Sequence, residues 1–259
     1  DSMALIHACH AGRYEQARAL LAQNALVDQT DEYGSTALNR ACTWNHLHCA
    51  NALVRANAQV DKADRHKWTP LMHACNEGHI GCAQALIDAG ANVDKVNTHK
   101  ATALIRACTW GRHECARALI DANAALDKVD NYRATALMHA CSEGHLECAR
   151  ALIGAGAALD KANVHKMTAL IRACSEGRHG CARALIDAGA AVDKANKYRA
   201  TALMFACDNG HFECARALID AGAAVDKMNN FSYTALTYAC KAGRLDCARA
   251  LIDAGAAVD

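Results

Sequence analysis

Four histidines stand three residues before a cysteine: His46 and Cys49, His79 and Cys82, His145 and Cys148, His211 and Cys214. On a helix, that spacing brings an imidazole and a thiol to one face, where they could hold a metal or act as base and nucleophile. The rest of the pattern argues against both chemistries. An active site is unique, whereas these pairs recur along the chain. The cysteines sit among Ala, Leu and Ile, where a small apolar side chain is wanted. P-loop, dinucleotide-glycine and H-E-x-x-H motifs do not occur in the sequence. The expectation is a chain that is not an enzyme and uses no metal, no cofactor and no small-molecule substrate.

A second set of residues carries more. Cations recur beside planar side chains in His66-Lys67-Trp68, His99-Lys100, Tyr132-Arg133, His165-Lys166 and Tyr198-Arg199. The same position holds Tyr33-Gly34 in one stretch and Phe231-Ser232-Tyr233 in another. Farther along each stretch come Arg40, His73, Arg106, His139, Arg172, Phe205 and Tyr238. A cation next to a planar group grips phosphate and stacks on bases. Arginine and lysine also read guanine edges in a duplex. Tyr, Trp and Arg are equally the preferred anchors of protein interfaces.

These residues are placed by a repeat. Thr36, Thr69, Thr102, Thr135, Thr168, Thr201 and Thr234 follow one another at intervals of 33 residues. A period of that length marks stacked supersecondary units. In residues 130–162, Ala136, Leu137, Ala140 and Cys141 recur at helical spacing until Gly144. Cys148, Ala149, Leu152 and Ile153 form a second run that ends at Gly154 and Gly156. Each unit therefore reads as two short antiparallel helices, with Thr135 placed to cap the first. Helices this short need stacked neighbours for stability.

The recurring pattern D-x-x-x-x-T-A-L-x-x-A-C-x-x-G-H-x-x-C-A-x-A-L-I-x-A-G-A resembles the ankyrin repeat over nearly the whole chain. The resemblance implies an all-α repeat solenoid of stacked helix-turn-helix units joined by β-hairpin-like fingers. It further implies inner helices on a concave face, outer helices on a convex one, and a partner held by finger tips and inner helices, most often a protein. The expected organisation is one array over 1–259. Residues 1–30 form an N-terminal capping unit, followed by full repeats 31–63, 64–96, 97–129, 130–162, 163–195 and 196–228 and a last unit 229–259.

Two departures from the consensus stand out. The histidine of its T-P-L-H stretch is replaced by Asn39, Met72, Ile105, Met138, Ile171, Met204 and Thr237, and its proline survives only as Pro70. The finger glycine survives only as Gly34, its place being taken by Lys67, Lys100, Arg133, Lys166, Arg199 and Ser232. A positive φ there costs a non-glycine residue about 1 kcal/mol or more. Either the turn has changed shape or the cost is offset by a function.

Variation collects on the finger tips and one face of the inner helix, while the ARALIDAGAAVDKAN framework barely changes. Units with His-Lys tips (His99, His165) carry Arg106 and Arg172; those with Tyr-Arg tips (Tyr132, Tyr198) carry His139 and Phe205. Duplication of a two-unit block would explain the alternation but not its concentration on one face. On that face Arg40, Arg65, Lys67, Lys100, Arg106, Arg133, Lys166, Arg172, Lys197 and Arg199 face the acids Glu32, Glu77, Glu143, Glu176 and Asp208. Trp44, Trp110, Asn209 and Thr109 belong to the same variable helix face. The leading expectation is recognition of an extended nucleic acid, with units spaced ~10 Å apart advancing about 3 base pairs each. The alternative is a protein or peptide, in its sharpest form an acidic segment. The proposed contacts are the finger and inner-helix residues named above, including Arg65, His66, Trp68, Phe231, Tyr233 and Trp110.

The net charge of +1 places any anion attraction in local arrangement and not in the molecule as a whole. No stretch is apolar enough to span a membrane. Fifteen cysteines follow the repeat, which predicts buried free thiols and a reducing, intracellular setting, cytoplasm or nucleus. The chain is expected to be a monomer. Asp1-Ser2-Met3 does not read as a signal peptide and looks like an internal cut. Asp259 ends the chain on the internal framework, which suggests part of a longer array or a designed series.

Overall fold

A computed structural model describes residues 3–258; Asp1, Ser2 and Asp259, on which the readings of the two chain ends partly rest, lie outside the described residues. The described residues form sixteen short helices. They divide between two compact units, Asp1–Asn131 and Tyr132–Asp259.

The first unit holds α1 (Ala4–His10), α2 (Tyr14–Ala22), α3 (Ala37–Thr43), α4 (Leu47–Arg55), α5 (Pro70–Glu77), α6 (Ile80–Asp88), α7 (Ala103–Thr109) and α8 (His113–Asp121). Inner helices pack in the series α1, α3, α5, α7, and outer helices in the series α2, α4, α6, α8. The second unit holds α9 (Ala136–Glu143), α10 (Leu146–Gly154), α11 (Ala169–Ser175), α12 (His179–Asp187), α13 (Ala202–Asn209), α14 (Phe212–Asp220), α15 (Ala235–Lys241) and α16 (Leu245–Asp253). Its two layers alternate in the same way. Each unit is thus the helix-turn-helix solenoid that the period predicts.

Local chemistry explains the starts and stops. The Oγ of Thr36, Thr69, Thr102, Thr135, Thr168, Thr201 and Thr234 accepts the backbone N–H three residues on, capping each inner helix from the second repeat onward. Gly78, Gly144 and Gly210 end α5, α9 and α13 in the left-handed conformation. Gly154 lies inside α10, and the positive φ that follows this helix belongs to Gly156. Between the helices of a pair, Leu38 and Leu53, Leu71 and Leu86, Leu137 and Leu152 are fully buried. Each contributes about 1.5–3 kcal/mol of transfer free energy.

The His–Cys spacing resolves into architecture. Nε2 of His46 donates to the carbonyl of His10, that of His79 to Thr43, and that of His211 to Ser175, each in the preceding repeat. Nε of Arg112, Arg178 and Arg244 donates to Asn76, Ser142 and Asp208 in the same way. Histidine and arginine are thus alternative ties between repeats. Glycine makes room for this tie: a Cβ on Gly78 would come within 2.8 Å of Arg112 Cδ, and one on Gly144 within 2.9 Å of Arg178 Cδ.

The constant Asp-Lys step forms a second tie. Lys62, Lys128, Lys194 and Lys227 donate Nζ to the carbonyls of Asp28, Asp94, Asp160 and Asp193. The carboxylates of those aspartates accept backbone N–H groups of the following repeat. These lysines are structural.

All fifteen cysteines are free. Fourteen are buried as the sequence predicts, but Cys240 is exposed. Elsewhere the inner-helix thiol contacts an outer-helix thiol of the next repeat, as Cys42 does Cys82, Cys174 does Cys214 and Cys207 does Cys247.

Candidate functional site

Six of the fingers are each built on one Asx residue at the base, beginning with Asp31, which holds Tyr33 and Ser35. Oδ1 of Asp64 accepts the N–H groups of His66 and Trp68; Asn97, Asn163, Asn196 and Asn229 hold His99 and Ala101, His165 and Met167, Tyr198 and Ala200, Phe231 and Tyr233 identically. Backbone bonds close the turn, from Lys67 N–H to the Asp64 carbonyl and from Asp64 N–H to the Trp68 carbonyl. Regular strand pairing is minimal among the described residues: Thr30 bridges Thr36 and Ala195 bridges Thr201. Hairpin-like fingers are present, yet they are held by Asx side chains more than by a ladder.

The missing finger glycines have not changed the turn. Lys67, Lys100, Arg133, Lys166, Arg199 and Ser232 all adopt φ between 56° and 62°, in the region where Gly34 has 75°. A local strain of about 1 kcal/mol or more at each is therefore real. The two Asx hydrogen bonds across the tip, each worth about 0.5–1.5 kcal/mol net, hold the turn closed against it.

Fingers are stitched side by side within each unit. Arg65 N–H donates to the Tyr33 carbonyl, Thr98 to His66 and Asn131 to His99; in the second unit Val164 donates to Tyr132, Lys197 to His165 and Asn230 to Tyr198. The tips Tyr33, His66, His99, Tyr132, His165, Tyr198 and Phe231 are exposed, as are Arg65, Lys67, Lys100, Arg133, Lys166 and Arg199. Trp68 and Tyr233 are half-buried. So are the inner-helix residues Arg40, His73, Arg106, His139, Arg172, Phe205 and Tyr238, while Trp110 is exposed. The finger cations fall into two sets, Lys67 and Lys100 in one unit, and Arg133, Lys166 and Arg199 in the other.

What sequence reading missed is the residue at the finger base. Arg40 donates Nε and Nη2 to Oδ2 of Asp31, and His73 Nε2 lies 3.0 Å from Oδ2 of Asp64. The inner-helix base is thus paired with an acid nine residues earlier, and neither Asp31 nor Asp64 was counted among the groove acids. A partial signal lies in the sequence: Asp stands at the base before Arg40 and His73, whereas Asn stands before Arg106, Arg172, Phe205 and Tyr238. Burial raises the Asp64 carboxyl, but the His73 bond and the tip N–H groups outweigh it and hold its pKa below the ordinary value. Asp31 is likewise lowered against burial, by Arg40 and the N–H groups of Ser35 and Tyr33.

Where the base is Asn, the cation turns elsewhere. Arg106 donates to Asn76 Oδ1 at 2.9 and 2.7 Å, and its guanidinium lies 5.0 Å from the Trp68 ring and 5.9 Å from Trp110. Asn97 Nδ2 is left buried without a partner. Arg172 donates to Ser142 Oγ at 2.6 Å. Arg40 also lies over the Tyr33 ring at 5.4 Å.

Phe205 and Tyr238 bring an apolar pocket to the second unit. A cavity of about 530 Å³ is lined by Met167, Tyr198, Met204, Phe205, Phe231 and Tyr238, with His165, Lys197 and Asp208 among the polar walls. Lys197 Nζ lies 4.9 Å from the Tyr198 ring, and Asn229 Nδ2 donates to Tyr238 Oη at 2.8 Å.

A family model described as ankyrin repeats (3 copies) matches residues 1–64, 53–130, 122–196 and 189–259. The chain belongs to the ankyrin-repeat family. Its fold is similar to the crystal structure of the human ASB11 ankyrin repeat domain, with a TM-score of 0.77 and 27% identity over 87% of this chain and 100% of that one. Among curated proteins, none matches the sequence. As an ankyrin-repeat chain it is an interaction scaffold. Among its described residues, no helix is long and apolar enough to cross a membrane.

Proposed function

We propose that the finger-and-inner-helix face binds a protein or peptide segment, and that the chain is a recognition module without catalytic chemistry. The observation that carries this is how the side chains on that face are used. Five aromatic side chains, Tyr33, Trp110, Tyr132, Tyr198 and Phe231, are exposed to solvent. The inner-helix cations are engaged, Arg40 by Asp31, Arg106 by Asn76 and two tryptophans, Arg172 by Ser142. Exposed aromatics with tethered arginines suit the core of a protein interface, where planar side chains bury large area at low entropic cost. A phosphate backbone asks for free cations instead. Membership of a family of interaction scaffolds supports the same reading.

The nucleic-acid reading keeps one observation: the tips Lys67, Lys100, Arg133, Lys166 and Arg199 are exposed and, among the described residues, in no ion pair. One experiment decides. The chain is used as bait after nuclease treatment, and in parallel in mobility-shift assays on random DNA and RNA pools. Recovery of a specific protein without a shift supports the proposal. A shift that fades steeply with salt and disappears when those five residues become Ser would overturn it. The threonine register runs unbroken from Thr102 to Thr135, which supports reading 1–259 as one array. Free thiols throughout support a reducing compartment.

A further inference from the structure

The pocket of the second unit lies where the repeat abandons its polar tie. In the preceding repeat Arg172 crosses to Ser142 and occupies the groove with a charged side chain. One repeat on, the position is Phe205 and Asn196 stands at the finger base; the next has Tyr238 and Asn229. The finger base is Asn163 already in the preceding repeat, so the change lies on the inner helix: two aromatic rings stand where the guanidinium was, and an apolar cavity of about 530 Å³ lies beside them. That lies within the range of about 300–1,000 Å³ typical of sites that enclose a ligand group.

Its polar groups are few and unspent. Lys197 lies against the Tyr198 ring and, among the described residues, forms no ion pair. Tyr238 Oη accepts from Asn229 Nδ2, which leaves its own proton for another acceptor. Both donors share the cavity with Met167, Met204, Phe205 and Phe231, so an acceptor brought there would be only partly solvated. On the helix side, Asp208 lines the cavity, and its carboxylate would accept from an N–H donor.

We propose that this pocket is the anchor site for a partner protein segment that inserts one large apolar side chain, aromatic or long aliphatic, with a carboxylate beside it directed to Lys197. The inference rests on the protein-recognition reading above and names the partner's chemistry. The apolar side chain displaces water from the Met167, Met204 and Phe205 surface. The carboxylate meets the unpaired ammonium of Lys197 and the Tyr238 hydroxyl. A nucleic-acid base stacked between the aromatics is the competing occupant, and the oligonucleotide arm of the test separates the two.

The test is selection of a random linear peptide library on the intact chain. Enriched peptides are expected to pair Phe, Tyr, Leu or Met with a neighbouring Asp or Glu. Phe205→Arg installs the residue that position 172 already carries, so folding is retained, and circular dichroism checks it. Affinity for enriched peptides should fall about tenfold or more. Lys197→Glu should weaken binding and be rescued by peptides whose acid is exchanged for lysine, a result that a purely structural role would not give. Peptides that bind the Phe205→Arg variant unchanged, or that lack the apolar–acidic pair, sink the anchor site while leaving protein recognition standing. A library yielding no peptide on the unsubstituted chain removes both readings. Displacement of bound peptide by a short unstructured oligonucleotide, lost in Phe205→Arg, assigns the pocket to bases and overturns the proposal.

Discussion

His73 sits on an inner helix with its Nε2 3.0 Å from Oδ2 of Asp64, the residue at the base of the finger before it. The other oxygen of the same carboxylate holds the tip of that finger through the N–H groups of His66 and Trp68. One aspartate therefore fixes tip and helix together, and Asp31 does so with Arg40.

That double duty predicts an acid limb of unfolding. The carboxyls of Asp31 and Asp64 are held below their ordinary value of 3.8 in the folded chain. A depressed acid contributes stability that is present above its unfolded pKa and is lost as pH falls through the folded one. Urea midpoints should therefore drop as pH falls below about 4. The double variant Asp31→Asn with Asp64→Asn should be less stable at pH 7 and lose less on acidification. Parallel pH profiles for the two proteins would refute the linkage.

Finger cations sit at a positive φ that glycine adopts freely. Lys100→Gly should raise stability by about 0.5–1 kcal/mol, because relief of the left-handed strain exceeds the added flexibility of the unfolded chain. Lys100→Val should lower it, since a β-branched side chain tolerates that φ worst. Equilibrium urea unfolding measures both. Equal stability of the glycine and valine variants would show that the turn relaxes to another shape.

The inter-repeat tie accepts either side chain. His79→Arg should cost little, since Arg112, Arg178 and Arg244 make the same bond from the same position. His79→Ala should cost about 1–3 kcal/mol by leaving the Thr43 carbonyl without its donor. Gly78→Ala meets Arg112 Cδ at 2.8 Å and a φ of +85°, so it should destabilise, and Arg112→Ala should recover part of the loss. Additive effects in that double-mutant cycle would show that the contact is not responsible.

Thr102→Ala should lower stability by about 1 kcal/mol through loss of the cap on Ile105 N–H, and Thr102→Ser much less. A loss with serine as large as with alanine would mean that the methyl group, and not the hydroxyl, matters.

Thiol labelling reads burial directly. Under native conditions a maleimide reagent should modify Cys240 quickly and the remaining cysteines only as the chain opens. Burial, together with the neighbouring Cys49, pushes the Cys9 thiol up to about 12, far from the reactive thiolate. Rapid native labelling of Cys9 would contradict the packing of α1 against α3.

The sequence by itself determined the repeat, the helix pairs and their caps, because each rests on chemistry inside one unit. A threonine hydroxyl three residues before an N–H and leucines at helical spacing act within a turn or two of chain. Sequence also placed the variable residues on one face, since helical periodicity alone assigns a face. Tertiary structure decided what those side chains do. Arg40 reads as a free cation until its helix is packed beside the Asp31 finger, and His46 as a ligand until it reaches the preceding repeat. Whether lysine at a glycine position changes the turn depended on the competition between strain and Asx hydrogen bonds, which no residue type states. The apolar pocket needed the stacking of three successive repeats, which brought Met167, Phe205 and Tyr238 around one space.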